Sequence, residues 1–160
     1  MFDRTRMGKQ QKSAGVLMCR GVISPEFFLV HPGGPFWKNK DAGAWSIPKG
    51  EFDDEEPEDA ARREFGEETG FKLEQPLFSL GTCRLKSGKL IYGFGCRGDA
   101  DPALLVSNRI LVEWPPRTGK MIEVPEVDRG GWFTQEDAEI RINPAQAVFL
   151  RRCRDIITVR

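Results

Sequence analysis

"GEFDDEEPEDAARREFGEETGF", residues 50–71, decides how the rest of the chain is read. Its second part, from about Pro57 to Thr69, predicts a helix. Pro57 suits the first helical turn, the acidic residues beside it favour the positive end of the helix dipole, and Gly70 is a good terminator. Take Ala61 as zero and step about 100° per residue. Ala60 then lies near about −100°, Glu64 near −60°, Glu68 near −20° and Phe65 near +40°, with Glu67 near −120° at the rim of that arc. Arg62, Gly66, Asp59 and Arg63 complete the opposite, water-facing side. A helix packed through Ala60, Ala61 and Phe65 therefore carries Glu64 and Glu68 toward the core or its edge.

Burying an unpaired carboxylate is expensive, and like charges four residues apart add about 0.2–0.5 kcal/mol. Something positive must compensate. A divalent cation is the economical answer, because clustered carboxylates are hard oxygen ligands suited to magnesium or manganese. The plainer alternative is an exposed helix with salt pairs such as Glu58–Arg62. A calcium loop over 53–64 is excluded, since Glu58 occupies the position where such a loop turns on glycine.

Outward from this segment the chain reads as alternating strands and helices. "SAGVLMCR" (13–20) and "EFFLVH" (26–31) are short apolar strands separated by Gly and Pro. "PGGPFWKNKDAGAW" (32–45) is a long loop of the kind that is usually functional or mobile, and "SIPKGEF" (46–52) a short strand entering a turn. Further strands are expected at 77–85, 89–97, 109–114 and, briefly, 131–133. Thr134 with Asp137 fits the cap of a short helix. "NPAQAVFLRRCRDII" (143–157) is an amphipathic helix: Asn143 caps, Pro144 starts, and Ala145, Val148, Phe149, Cys153, Ile156 and Ile157 form its stripe. The sum is an α/β chain with a mixed sheet and helices on its faces, one domain over 1–160 with its core at about 12–158.

Lys plus Arg and Asp plus Glu both number 24, so no overall field draws the protein to DNA, RNA or an anionic membrane. The four cysteines, Cys19, Cys83, Cys96 and Cys153, lack metal-binding spacing, and His31 is the single histidine. Buried free thiols suit a reducing cytoplasm, the polar start "MFDRTRMGKQQK" is no secretory signal, and no apolar run reaches membrane-spanning length. A monomer and a homodimer are both compatible with this composition.

Residues 50–71 resemble the Nudix box, GX5EX7REUXEEXGU with U a bulky apolar residue. Arg63, Glu64, Phe65, Glu67, Glu68, Gly70 and Phe71 match its second half without a gap. The first half is one residue short, whether Glu55 or Glu56 is taken as its first glutamate. "LVHPGGPFW…GAWSIPKGE" is similar to bacterial Nudix proteins described as predicted nucleoside triphosphate pyrophosphohydrolases, and the "PKG" turn resembles the diadenosine-polyphosphate branch.

The resemblance implies a Nudix fold, an α/β/α sandwich, and hydrolysis of a nucleoside diphosphate linked to another group. It implies that Glu64, Glu67 and Glu68 bind Mg2+ or Mn2+, with the Gly50 carbonyl as a further ligand, and that Arg63 orients the carboxylates. The family's catalytic base often lies just before the last "WF" strand. Glu126 is the first choice by spacing, Glu123 the second and Glu113 the third. For the substrate, Lys38, Lys40, Lys49, Arg117 and Lys120 are the loop cations, and Trp37, Trp45, Phe36 and Tyr92 the rings fit to stack on a base. Lys49, beside the metal turn, leads, with Trp45 and Lys38 after it. The expected substrates are nucleoside triphosphates or dinucleoside polyphosphates. The alternatives are removal of pyrophosphate from RNA 5′ ends, which the absence of a basic excess disfavours, and a Nudix module that senses a nucleotide without cleaving it.

Overall fold

The structure, a computed structural model, describes residues 11–159. The chain runs through β1 (Lys12–Arg20), β2 (Glu26–Pro32), β3 (Lys49–Glu51), α1 (Pro57–Thr69), β4 (Phe78–Arg84) and β5 (Leu90–Arg97). After a 3-10 turn at Pro102–Leu104 come β6 (Arg109–Glu113), β7 (Met121–Pro125), β8 (Val127–Thr134) and α2 (Gln135–Arg141). A second 3-10 turn, Pro144–Gln146, leads into α3 (Ala147–Val159). The main sheet has the order β4-β5-β1-β2-β8, with β3 also paired to β1. β1 and β5 run parallel and the other pairs antiparallel, so the sheet is mixed.

From Ala14 to Cys19 β1 is an unbroken apolar run, because both of its faces are covered. Ala14, Val16 and Met18 face the layer that holds Phe65 of α1, while Leu17 and Cys19 face the layer of Phe149 and Cys153 from α3. Helices on both faces give the α/β/α arrangement. The four cysteines are free and buried. No helix among the described residues is long and apolar enough to cross a membrane.

The detail that positions the site is a divergence between neighbouring strands. β1 pairs with β2 only at its end, through Cys19–Phe27 and Arg20–Glu26. Farther back, the segment 46–51 enters the gap. The Ser46 carbonyl accepts from the Val30 amide at 2.9 Å, the Pro48 carbonyl accepts from the Val16 amide at 3.1 Å, and β3 pairs with Ser13–Gly15. The strand expected over 46–52 is thus a short ladder at 49–51 preceded by a bridge at Ser46.

Other boundaries differ for tertiary reasons. The last strand is longer than the expected 131–133, because β8 pairs with β2 from Val127 to Thr134. β7 was not expected: it completes a two-stranded sheet with β6. The helix expected at 143–157 opens instead with the 3-10 turn, capped by Asn143 accepting from the Ala145 amide at 3.0 Å.

Candidate active site

α1 ends where Gly70 turns left-handed at φ 78° and donates to the Gly66 carbonyl. Its core face carries Ala60, Ala61 and Phe65 together with Glu64 and Glu68, which are only 7% and 5% exposed. Glu67 stays at the solvent rim. Arg63 gathers the carboxylates around it. Its Nη1 donates to Glu64 Oε1 at 2.7 Å and to Glu67 Oε1 at 3.1 Å. Its Nε and Nη2 take Glu55, with the shortest contact at 2.6 Å. These bonds, Glu55 first, raise the Arg63 pKa and lower that of Glu55. Arg62, which the plainer exposed-helix alternative pairs with Glu58, donates to the Leu73 carbonyl at 3.0 Å.

This network also locates the residue missing from the motif. Glu55, not Glu56, meets Arg63, so the deletion falls between Gly50 and Glu55. The shortened turn still brings Gly50 against α1: a Cβ added at Gly50 would overlap the Glu64 carboxylate. Any other residue there would push the Glu64 carboxylate aside.

Glu68 points to the mouth of the gap between β1 and β2. Its Oε1 accepts from the Lys49 amide at 3.3 Å. Beside it is a pocket of about 200 Å³ whose walls include Lys49, Glu68, Glu126, Trp37, Trp45, Asn143 and Gln146. Glu126 reaches it from the start of β8, held by Asn108. The Asn108 side chain donates to Glu126 Oε1 at 3.0 Å, and the Glu126 amide donates to the Asn108 carbonyl at 2.9 Å. The Asn108 amide in turn donates to the Glu67 carbonyl at 2.8 Å, tying this loop to the end of α1.

The electrostatics follow from burial. Burial, with Glu126 and then Glu64 nearby, pushes Glu68 up to about 8 against the opposing pull of Lys49. Burial likewise raises Glu64, with Arg63 opposing. Buried carboxylates that resist ionising mark a place short of positive charge. Among the described residues no three carboxylate, imidazole or thiolate groups already enclose a metal position, as Glu64 and Glu67 are both drawn onto Arg63 Nη1. The donors nevertheless fit a hard divalent cation: carboxylate oxygens, two of them buried, beside an approachable backbone at Gly50.

Of the residues singled out from sequence, Lys49, Trp45, Glu68 and Glu126 line the pocket, with Gly50, Arg63, Glu64 and Glu67 adjoining. Lys38 is exposed and outside the pocket wall, and Lys40 lies 3.9 Å over the Phe36 ring. Glu123 is exposed and bound to Arg109 at 2.6 Å. Glu113 accepts from the amides of Arg117 and Gly119, and Lys120 shares that turn. Tyr92 packs against Phe52 rather than the pocket. Trp45 is buried, with its ring between His31 and Phe133 and its Nε1 donating to Asp41 at 2.7 Å.

Asn108 and Gln146 were not foreseen. Gln146 Oε1 accepts from the Ile47 amide at 3.0 Å. Its signal was available, as a polar residue in register with Phe149, Leu150 and Cys153 on a core-facing stripe. Asn108 left none. Buried His31 anchors the long loop, with Nε2 2.6 Å from the Lys40 carbonyl and Nδ1 3.0 Å from Asp128 of β8.

The family model of the NUDIX domain matches residues 9–153. The chain belongs to the Nudix family. As a member whose signature is unbroken from Arg63 to Phe71, it is a hydrolase acting on pyrophosphate bonds. Comparison with curated protein sequences found no significant match. Among solved structures, the NUDIX domain of Shewanella oneidensis NrtR complexed with ADP ribose is similar with a TM-score of 0.65 at 15% identity, covering 98% of this chain and 94% of that one. An Ap4A hydrolase from C. elegans gives a TM-score of 0.61 at 20% identity over 94% and 99%. A MutT protein from Methanosarcina mazei Go1 gives 0.56 at 17% identity over 93% and 96%. At these identities the likeness is one of fold, and it extends over nearly the whole Nudix chain.

Proposed function

We propose that the protein is a magnesium- or manganese-dependent pyrophosphohydrolase that cleaves a diphosphate linkage in nucleoside triphosphates or dinucleoside polyphosphates. The observation that carries this reading is the meeting of buried Glu68 with Glu126 on one pocket wall, where Lys49 is the lining cation and buried Glu64, paired to Arg63, adjoins. Glu64, Glu67 and Glu68, with the Gly50 carbonyl, would hold the divalent cation. That ion, when bound, supplies charge neutralisation on the diphosphate oxygens and acidifies water.

The chain's own groups do the rest. Arg63 gathers the Glu64 and Glu67 carboxylates on one nitrogen, so they need only turn from it toward an arriving cation. Glu126, clamped by Asn108, accepts the proton of the attacking water. Lys49 stands at the pocket wall beside Glu68 and meets substrate phosphate. Trp37 and Trp45 form the apolar wall for a base. The bond broken joins phosphorus to the bridging oxygen, and the leaving phosphate takes that oxygen with it.

One hydrolysis panel tests this reading: nucleoside triphosphates, dinucleoside polyphosphates, ADP ribose, nucleotide sugars and a triphosphorylated oligonucleotide, each with magnesium and manganese. Turnover of the first two classes, lost in Glu68→Gln, is the expected result. Preference for the oligonucleotide would make the protein an RNA-end enzyme. Ligand-induced stabilisation with no turnover of any compound would make it a sensor.

A further inference from the structure

The β6–β7 hairpin pairs with no other described strand, and a two-stranded ribbon is marginal alone. One face is apolar, and the other sets apolar residues among Arg109, Glu113 and Glu123. Ile110 and Val112 are half-buried on one side, while Leu111 and Met121 on the other are 65% and 53% exposed.

The hydrogen-bond phase of the hairpin decides which edge is open. The Trp114 amide donates to the Lys120 carbonyl at 2.8 Å, and the Glu126 amide donates to the Asn108 carbonyl at 2.9 Å. Hydrogen-bonded pairs alternate in an antiparallel ladder, so 108, 110, 112 and 114 turn their backbone toward β7. Arg109, Leu111 and Glu113 therefore turn theirs outward. The amides of Val106 and Asn108 go to the Thr69 and Glu67 carbonyls, which places the end of α1 on the β7 side, and among the described residues β6 pairs with no strand but β7. The other edge of the ribbon is guarded: Pro125 has no amide, and its carbonyl lies against Gly33.

Natural edge strands are commonly blunted by charges that repel a second strand. The sequence of β6, "RILVE", does the opposite for a copy of itself. Laid antiparallel about a two-fold axis at Leu111, its outward amides and carbonyls meet those of the second copy in hydrogen-bonding register. Arg109 then faces Glu113 of the second copy, and Leu111 faces its own equivalent. Ile110 lies opposite Val112 on the reverse face. A parallel pairing would set arginine on arginine and glutamate on glutamate. Opposite charges and apolar pairs directly across strands stabilise a ladder, and like charges oppose it.

From the open edge, the exposed leucine and this self-complementary charge order, we infer that β6 is a homodimer interface joining two hairpins into one four-stranded sheet. In the single chain Arg109 is bound to Glu123, and the Glu113 carboxylate to the Arg117 and Gly119 amides. Both groups are exposed and keep unused donors or acceptors, so pairing across the axis needs no core rearrangement.

Sedimentation equilibrium of the full chain over a dilution series tests the interface. The expected result is a reversible dimer that Leu111→Pro converts to monomer, since Leu111 donates nothing inside the hairpin. Arg109→Glu and Glu113→Arg should each weaken association by about tenfold or more, and the two together should restore it. A wild-type chain that stays monomeric throughout overturns the proposal. So does a dimer indifferent to Leu111→Pro and to both reversals, and a double reversal that fails to recover association overturns the register. The charge variants, at exposed positions, keep the test valid should the proline disturb the hairpin.

Discussion

Asn108 and Glu126 grip each other twice, side chain to side chain at 3.0 Å and backbone to backbone at 2.9 Å. The double contact fixes both where the β8 entry sits and where its carboxylate points. Asn108→Ala keeps the backbone bond and frees the carboxylate. Turnover should fall by about 10- to 100-fold with KM nearly unchanged, while stability drops by about 1 kcal/mol. Steady-state kinetics beside thermal melts separate those effects.

Glu126 and Glu123 can be told apart directly. Glu126→Gln should lower kcat by about 100-fold or more, the scale of a lost general base. Glu123→Gln, which removes only an exposed partner of Arg109, should leave kcat within about twofold. Equal losses in both variants would place the base elsewhere.

Glu68 gives the metal-free protein a pH-dependent stability. Its pKa is about 8 folded against an ordinary 4.5, so between those values the folded chain holds a proton that the unfolded chain has lost. Stability from this group is fully present below about pH 4.5 and is lost as pH rises toward 8. With chelator present, the melting temperature should therefore decline across that window, and Glu68→Gln should flatten the decline. Magnesium, by favouring the ionised carboxylate, should restore stability at pH 8 in the wild type and not in the variant.

Gly50→Ala sets a methyl group onto the Glu64 carboxylate. The carboxylate, at the end of a flexible side chain, must swing aside, so a cost of about 1 kcal/mol or less is expected, with a higher magnesium concentration needed for half-maximal turnover. Melting curves and magnesium titrations of activity check both.

Lys49 and Lys38 differ in place, not in kind. Lys49→Ala should raise KM for triphosphates by about tenfold through loss of a phosphate partner at the pocket wall. Lys38→Ala, exposed and outside that wall, should leave KM within about twofold.

Much of this arrangement was legible in the sequence, and for stated reasons. Helix α1 kept its expected ends because Pro57 and Gly70 are local signals, and angular position alone brought Glu64 and Glu68 inside. The extent of β8 was not local, since its pairing with β2 spans most of the chain. β7 escaped because "MIEVP" between glycine and proline reads as a loop until β6 lies beside it. Asn108 escaped for the same reason. Nothing near it in sequence announces a contact 18 residues away. The short first spacer of the motif could be placed only once Arg63 was seen on Glu55.

The clasp of Asn108 on Glu126 closes the base of the loop from which β6 and β7 project. Whatever happens beyond it is held apart from the pocket of Glu68 and Glu126, much as a handle is isolated from a blade by its collar. Residues 115–119 at the far turn thus offer a graft point, where an epitope or fluorophore is expected to leave turnover unblunted.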